Sequence, residues 1–485
     1  MSEIAKRVLQ NSILRVGGYA VGAAIHFAVI VLVARYLGAE RFGYFAFILA
    51  LVGVFQLVVD MGIRNILIRD IAVDQAGFAE KLGVAQTLFW ILSPISMGLI
   101  VLAAHSFSLP EEARQSTYLA GLATIVTFHS LAFSAVLRAF EEMEWDILGF
   151  VLHKFLLIGL IWPVTHTDWG MRGVVGAMLA ANACQYLYYR GWVTVRHGRV
   201  RPSRDLRRGW KLFRESFPLG MAEVLRRLTW QADKLLLASL GTPVAVGLFS
   251  AAYKFLEAMN PFTVNLTLPL FPVFSRLARE SSMKLFKAYR QSIKFLYAMG
   301  TPLAVLLFVF ADRIVLLFFG EAYREAGGVL RILAPTVVFL LPTSIYGYLF
   351  VALGHQKMYT ICVTLSLLVN VVLDLLLIPR FGYFGAAIGT LAAETGLFLA
   401  GMIVLQRLGG ELALFEMMWR PFLAGLAMGW ICWWTREGAP ALIGIGVLGG
   451  LSAYGALLLL LQTFTRQELA LLIGAMRLRI GRVVR

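Results

Sequence analysis

Charge is scarce in this sequence. Only 15% of its 485 residues are Asp, Glu, Lys or Arg, against about 25% in an ordinary soluble protein. Cysteine is scarcer still. Cys184, Cys362 and Cys432 stand far apart, each inside an apolar run, which excludes a disulfide framework or metal knuckle readable from spacing and suits small buried hydrophobes. Met1–Leu14 lacks the compact apolar stretch and small-residue cleavage site of a secretory leader, so the first apolar run is expected to stay in the mature chain. No connection between apolar runs exceeds about 20 residues, too short for a soluble catalytic domain. No Walker loop, Ser-His-Asp set or His/Cys metal cluster stands at a usable spacing.

What the sequence has in abundance is apolar length. Hydrophobic residues make up 59% of it, and runs of about 18 or more recur from end to end, each enough to cross a hydrocarbon core of about 30 Å. Such a core satisfies no backbone polar group, so a spanning segment is a helix or a closed-barrel strand. Barrel strands alternate polar and apolar residues. These runs do not, and helices are expected. A window of about 20 residues gives about fourteen spans, from Ser12–Tyr36 and Phe42–Ile63 through Ser216–Leu240 and Gly247–Phe274 to Ala441–Leu461.

The net charge of +16 fits the rule that places Lys and Arg in cytoplasmic loops. Nucleic-acid binding is not required, and no recognition motif supports it. Cations gather in the connection after span six, RHGRVRPSRDLRRGWKLFR, after span eight (Arg276 to Lys294) and in the tail (Arg466 to Arg485). With fourteen spans and a cytoplasmic N-terminus, all three clusters and the C-terminus face the cytoplasm. The acidic run Glu141, Glu142, Glu144, Asp146 on the same side does not overturn this, because acids weigh little in orientation. The tail spaces Leu469, Leu472, Ile473, Met476 and Ile480 helically against arginines, as an amphipathic helix on an anionic leaflet would.

The chain also repeats itself. Leu37-Gly38 followed by Gly43-Tyr44-Phe45 is echoed by Leu240-Gly241 and Gly247-Leu248-Phe249. Gly170-x-x-Gly173 leading to Leu179-Ala180-Ala181 is echoed by Gly382-x-x-Gly385 and Leu391-Ala392-Ala393. Repeats separated by an even number of spans keep their orientation and make parallel lobes. The expected fold is therefore an all-α integral membrane protein of about fourteen transmembrane helices, with two pseudo-symmetric six-helix lobes plus a C-terminal helix pair. Its expected parts are 1–195 (spans one to six), a basic cytoplasmic linker 196–215, 216–407 (spans seven to twelve), 408–464 (the last two spans) and the basic tail 465–485.

Ionisable residues inside the spans carry the functional information. Span seven holds Glu223, Arg226, Arg227, Asp233 and Lys234, and span eight holds Lys254 and Glu257. Facing lipid, these seven would cost roughly 20 kcal/mol on the insertion scale, more than the net stability of most proteins. They must face protein, water or ligand. Helical geometry puts Glu223, Arg227, Trp230 and Lys234 on one face and Arg226 with Asp233 on the next. Lys254 and Glu257 are one turn apart, ahead of a kink expected at Asn260-Pro261. Arg15 and His26 share a face of span one. Gln56, Asp60 and Arg64 step along span two, and Asn370 and Asp374 along span eleven. Glu394 sits alone in span twelve. Two readings stay open: internal ion pairs that orient helices, or a hydrated cationic cavity for an anionic ligand, where arginine's planar fork suits phosphate. His26, His129 and His153 suit either interior hydrogen bonding or proton coupling.

The stretch VARYLGAERFGYFAFILALVGVFQLVVDMGIRNILIRDIA, from Val33 to Ala72, resembles the opening of the Wzx-type polysaccharide flippases of the multidrug/oligosaccharidyl-lipid/polysaccharide (MOP) exporter superfamily. DKLLLASLGTPVAVGLFSAAYKF, Asp233 to Phe255, is similar to the start of that family's second lobe, and LIPRFGYFGAAIGTLAAE, Leu377 to Glu394, to its late glycine segment. The resemblance implies a flippase rather than an enzyme, a cavity between spans one, two, seven and eight, and export of an oligosaccharide on an undecaprenyl-diphosphate type carrier by alternating access for O-antigen, capsule or exopolysaccharide synthesis. It implies a bacterial or archaeal cytoplasmic membrane, the phospholipid bilayer as surroundings, and a glycan polymerase with chain-length machinery as candidate partners. Applied here, Arg15, Arg64, Arg226, Arg227, Lys234 and Lys254 become candidate substrate-binding residues. His26, Asp60, Asp233, Glu257, Asp374 and Glu394 become candidates for coupling or gating. No cofactor or metal is expected, and energy would come from an H+ or Na+ gradient or the membrane potential. The rivals are a multidrug or cation antiporter of the same superfamily, a membrane-embedded glycan polymerase or glycosyltransferase, and a passive scaffold.

Overall fold

The protein's structure, a computed structural model, describes residues 3–410 and 414–464. The basic tail 465–485 and the side chains of Arg15 and Arg226 lie outside the described residues. Among those described, every regular element is helical. The first helices are α1 (Glu3–Phe55), α2 (Leu57–Asp60), α3 (Ile63–Val73), α4 (Phe78–Ser106), α5 (Glu111–Ala139), α6 (Met143–Val164), α7 (Gly170–His197), α8 (Leu206–Leu240), α9 (Pro243–Glu257) and α10 (Asn260–Thr267). There follow α11 (Leu270–Glu280), α12 (Ser282–Val309), α13 (Ala311–Phe319), α14 (Ala326–Leu333), α15 (Thr336–Thr343), α16 (Tyr346–Ala352), α17 (Gln356–Phe381), α18 (Tyr383–Arg407), α19 (Leu414–Thr435) and α20 (Pro440–Leu460).

The two spans expected over Ser12–Ile63 run together. α1 is 53 residues long, broken at Gly38, whose φ of 71° and ψ of 170° are non-helical. At 1.5 Å per residue it extends about 80 Å, far beyond one bilayer crossing. A second break follows α2, where Met61 (φ 35°) and Gly62 (φ 77°) turn left-handed, a conformation glycine adopts without steric cost. Among the described residues, eight helices are long and apolar enough to cross a membrane, or nine if the bent pair Ala326–Leu333 and Thr336–Ala352 is one span. The first of them, Ala20–Val73, holds 54 residues. With α7, α8 and α19 also 28, 35 and 22 residues long, about fourteen crossings are compatible with the structure.

The chain forms two compact units. The first is Met1–Asn265 with Val315–Ala326 and Asn370–Gly389, and the second is Leu266–Ile314, Gly327–Val369 and Thr390–Arg485. In the first, Ile63, Leu82, Phe89, Val136 and Tyr189 belong to one apolar core under α3, α4, α5 and α7. In the second, Val309, Met428, Cys432 and Tyr454 join α12, α19 and α20, and the Tyr454 hydroxyl donates to the Ala298 carbonyl at 2.8 Å. Cys362 and Cys432 are buried, Cys184 is exposed, and all three are free thiols.

The basic connection between α7 and α8 is part strap, part helix. The Ser203 N–H donates to the Gly83 carbonyl (3.1 Å) and Thr87 Oγ1 to the Ser203 carbonyl (2.7 Å). A Cβ at Gly83 would meet the Arg201 carbonyl at 2.5 Å. α8 then starts at Leu206, where Asp205 caps it by accepting from the Arg207 and Arg208 N–H groups at 3.0 and 3.1 Å.

Both sequence repeats have structural counterparts in the first unit. Gly43 and Gly247, equivalent glycines of the first repeat, pack against each other. A Cβ on Gly43 would overlap the Pro243 carbonyl, and one on Gly247 the Ala39 carbonyl. In the second repeat the leading glycines, Gly170 and Gly382, take φ of 59° and 56°. Their followers fill tight spaces: a Cβ on Gly173 would meet Trp169 Cβ at 2.7 Å, and one on Gly385 the Leu377 carbonyl at 2.5 Å.

Candidate substrate cavity

Within the first unit, a cavity of about 660 Å³ opens between α1, α5, α7, α8 and α9. That is a usual size for a ligand site. Its formal charges are Arg227, Lys234, Lys254 and Glu257, three cations to one carboxylate. Glu257 bridges two of the cations: Lys234 Nζ lies 2.7 Å from Oε1 and Lys254 Nζ 2.5 Å from Oε2. Lys234 also donates to Gln231 Oε1 at 3.4 Å and lies 5.0 Å from the centre of the Tyr253 ring. Only 4% of Lys234 is exposed, so Glu257 and the ring replace most of its water. Arg227 reaches α1 where glycine leaves room. A Cβ on Gly53 would meet the guanidinium Nη2 at 3.2 Å.

The helix bearing Glu257 ends there, and α10 begins at Asn260. The break falls where Asn260-Pro261 predicted a kink, and Asn260 joins the cavity wall. His26 lines the α1 side beside Phe27. Thr124, Thr127 and Asn182 face the cavity from α5 and α7. Asn182 is fixed twice, pairing with His153 Nε2 at 2.8 Å and donating to the Ala123 carbonyl at 3.0 Å.

A family profile described as "Polysaccharide biosynthesis protein" matches residues 8–278, and one described as "Lipid II flippase MurJ" matches 158–448. The chain belongs to both of these families. A Haloferax volcanii protein named "Probable low-salt glycan biosynthesis flippase Agl15" is 25% identical over 379 residues, covering 76% of this chain and 77% of that one. The solved structure "Lipid II flippase MurJ, inward closed conformation" superposes with a TM-score of 0.75 at 16% identity, covering 94% of this chain and 99% of that one. An inward-facing multidrug resistance MATE transporter of the MOP superfamily gives 0.66 at 18%, covering 81% and 96%. The fold is that of MurJ and MATE transporters. This protein is a multi-pass membrane flippase that serves polysaccharide biosynthesis, and not an enzyme.

The candidate residues of the flippase fall in four places. Arg227, Lys234, Lys254, Glu257 and His26 line the cavity. Asp60 and Arg64 are not among its lining residues. They pair with each other at the Met61–Gly62 break, where Asp60 accepts from the Arg64 N–H at 3.4 Å and lies 3.8 Å from Nη2. That break packs on α8, since a Cβ on Gly62 would meet the Ser216 carbonyl at 2.9 Å and one on Gly220 the Met61 backbone at 2.5 Å. Asp233 faces away from the cavity lining toward α17, accepting from Asn370 Nδ2 at 2.8 Å. The Asp374 carboxyl neighbours Asp233. It is fully buried, and among the described residues no nitrogen or hydroxyl donor reaches either of its oxygens. Glu394 lies on α18 in the second unit, half-buried. The polar wall of Thr124, Thr127 and Asn182 went unflagged in the sequence, because single Thr and Asn residues are common in apolar helices.

Proposed function

We propose that this flippase moves a polyprenyl-diphosphate-linked oligosaccharide from the cytoplasmic to the outer leaflet of a bacterial or archaeal cytoplasmic membrane by alternating access, with both its termini in the cytoplasm. The cavity's three cations against one carboxylate carry this reading. A diphosphate crossing bare hydrocarbon would face a prohibitive desolvation cost. Arg227, Lys254 and Lys234 offer it charge-assisted hydrogen bonds, and Asn182, Gln231 and Asn260 offer partners for sugar hydroxyls. The isoprenoid tail needs no such shelter and stays in lipid. Because Glu257 already offsets about one lysine, Arg227 and Lys254 are assigned the first contacts with the phosphates.

Two glycine crossings are suited to act as gates. Gly43 against Gly247 and Gly62 against Gly220 lie about 28 Å apart by helical rise, near the two ends of one crossing. Backbone contact without side chains can part and re-form with little repacking. For the driving force, the Asp233–Asn370–Asp374 cluster carries negative charge that a proton or Na+ would offset. The membrane potential contributes as well. A negative head group leaving an inside-negative compartment moves downhill, by about 2.3 kcal/mol per charge per 100 mV. A glycan polymerase and chain-length machinery would receive the product.

The test is reconstitution in vesicles carrying a fluorescent polyprenyl-diphosphate oligosaccharide, with glycan exposure read by a membrane-impermeant glycosidase. Exposure of the shielded half of the glycan by the protein supports the reading. Export of cationic dyes with no movement of the lipid-linked glycan would replace it with the antiporter.

A further inference from the structure

A second recess, of about 890 Å³, lies at the opposite end of α7 from the basic strap, between the C-terminal end of α6 and the start of α7. α7 is 28 residues long, so its two ends are about 42 Å apart. One side of the recess is an apolar furrow. Gly173, Gly176, Ala177 and Ala180 present almost no side chain along α7, with Leu160 and Val164 opposite. At Gly176 the furrow is open, and a Cβ there would meet nothing within 4 Å.

The other side is polar. Arg41, Glu112, Asp168 and Arg172 ring the mouth. Glu112 is already engaged, lying 3.5 Å from Arg41 Nε and accepting from the Met171 N–H at 2.8 Å. Asp168, in the turn ahead of α7, and Arg172, in its first turn, make no ion pair with each other or with another described residue, and both are exposed. Trp162 and Trp169 flank them, 59% and 66% exposed. Exposed tryptophans at the ends of spanning helices mark headgroup depth.

We infer that this recess binds a glycerophospholipid with a zwitterionic, primary-amine headgroup. One acyl chain lies along the furrow, the phosphate bonds Arg172, and the ammonium bonds Asp168. One free cation and one free anion at headgroup depth match such a lipid in sign and order. A phosphatidylglycerol would set neutral glycerol hydroxyls, not a cation, against Asp168, and a quaternary choline would have no N–H to donate. The site is independent of the glycan cavity, so it stands or falls apart from the substrate assignment.

The test is native mass spectrometry of the full-length protein titrated with phosphatidylethanolamine, phosphatidylglycerol and phosphatidylcholine. One molecule of phosphatidylethanolamine is expected to bind about tenfold more tightly than either other lipid, the scale of one charge-assisted hydrogen bond. Asp168→Asn should erase the preference, while Arg172→Ala and Gly176→Leu, which fills the furrow, should each remove the tight site. As a readout that needs no variant, hydrogen exchange at residues 165–176 should slow in phosphatidylethanolamine nanodiscs relative to phosphatidylglycerol ones. Equal affinity for the three lipids, or a tight site that survives either Arg172→Ala or Gly176→Leu, or exchange indifferent to the lipid, would overturn the assignment.

Discussion

Gly43 and Gly247 meet backbone to backbone, with no room between them for one added carbon. They are equivalent glycines of the repeated Leu-Gly…Gly-x-Phe motif, so the repeat crosses its own counterpart where α1 meets α9. Gly43→Val must push α1 from the Pro243 carbonyl. Overpacking of this kind costs about 1–3 kcal/mol. A lower unfolding midpoint in detergent and slower glycan export are expected, and a wild-type midpoint would show that the crossing yields freely.

Glu257 and Lys254 are expected to behave differently although they touch. Glu257→Gln strips the nearly buried Lys234 of its carboxylate, and breaking such a pair costs about 3–5 kcal/mol. Protein level should fall along with export. Lys254→Ala leaves the 2.7 Å Lys234–Glu257 bridge in place, so level should hold while export drops. Immunoblotting beside an export assay separates the two outcomes.

Asp374→Asn replaces a buried carboxyl that has no donor among the described residues with an amide that can hydrogen-bond its neighbour Asp233. The fold should persist, with an unchanged or raised unfolding midpoint. Export should lose its response to an imposed H+ or Na+ gradient. A variant still driven by either gradient would remove this cluster from the coupling scheme.

On the surface, Asp74 accepts from Lys81 Nζ at 2.9 Å and from the Gly77 N–H at 3.3 Å. These bonds, the Lys81 one foremost, hold its carboxyl below the usual value. A depressed carboxylate stabilises above its ordinary pKa, about 3.9, and that contribution is lost as pH falls through the lowered value. Exchange protection of residues 74–78, corrected for intrinsic rates, should be flat from about pH 8 to 5 and decline below about pH 4. Lys81→Met should abolish the plateau. Protection independent of pH in the wild type would contradict the pairing.

The sequence announces some of this site and hides the rest for physical reasons. Arg227, Lys234, Lys254 and Glu257 were legible because charge within an apolar helix demands shelter, and their spacing put them near one face. That Lys234 shares Glu257 with Lys254 was not, since helical spacing says nothing about which face of α8 meets α9. The Asp233–Asn370 bond joins residues 137 apart in the chain and needs the tertiary fold to appear. Asp60 and Arg64, four residues apart, pair as such spacing allows, but the left-handed break at Met61–Gly62 that interrupts their helix leaves no sign in the spacing. The repeats were readable as glycine patterns, but their mutual contact was not. The recess beside α7 left no trace, because it depends on how the connection 165–169 folds over the helix.

Binding of a polyprenyl-diphosphate oligosaccharide, measured against its monophosphate counterpart in the wild type and in an Arg227→Gln/Lys254→Gln double variant, reaches the central claim most directly. The wild type is expected to prefer the diphosphate by about tenfold or more, one charge-assisted contact, and the double variant to lose that preference while keeping its unfolding midpoint. A well-folded double variant that still favours the diphosphate as strongly as the wild type would contradict the cationic cavity as the head-group site.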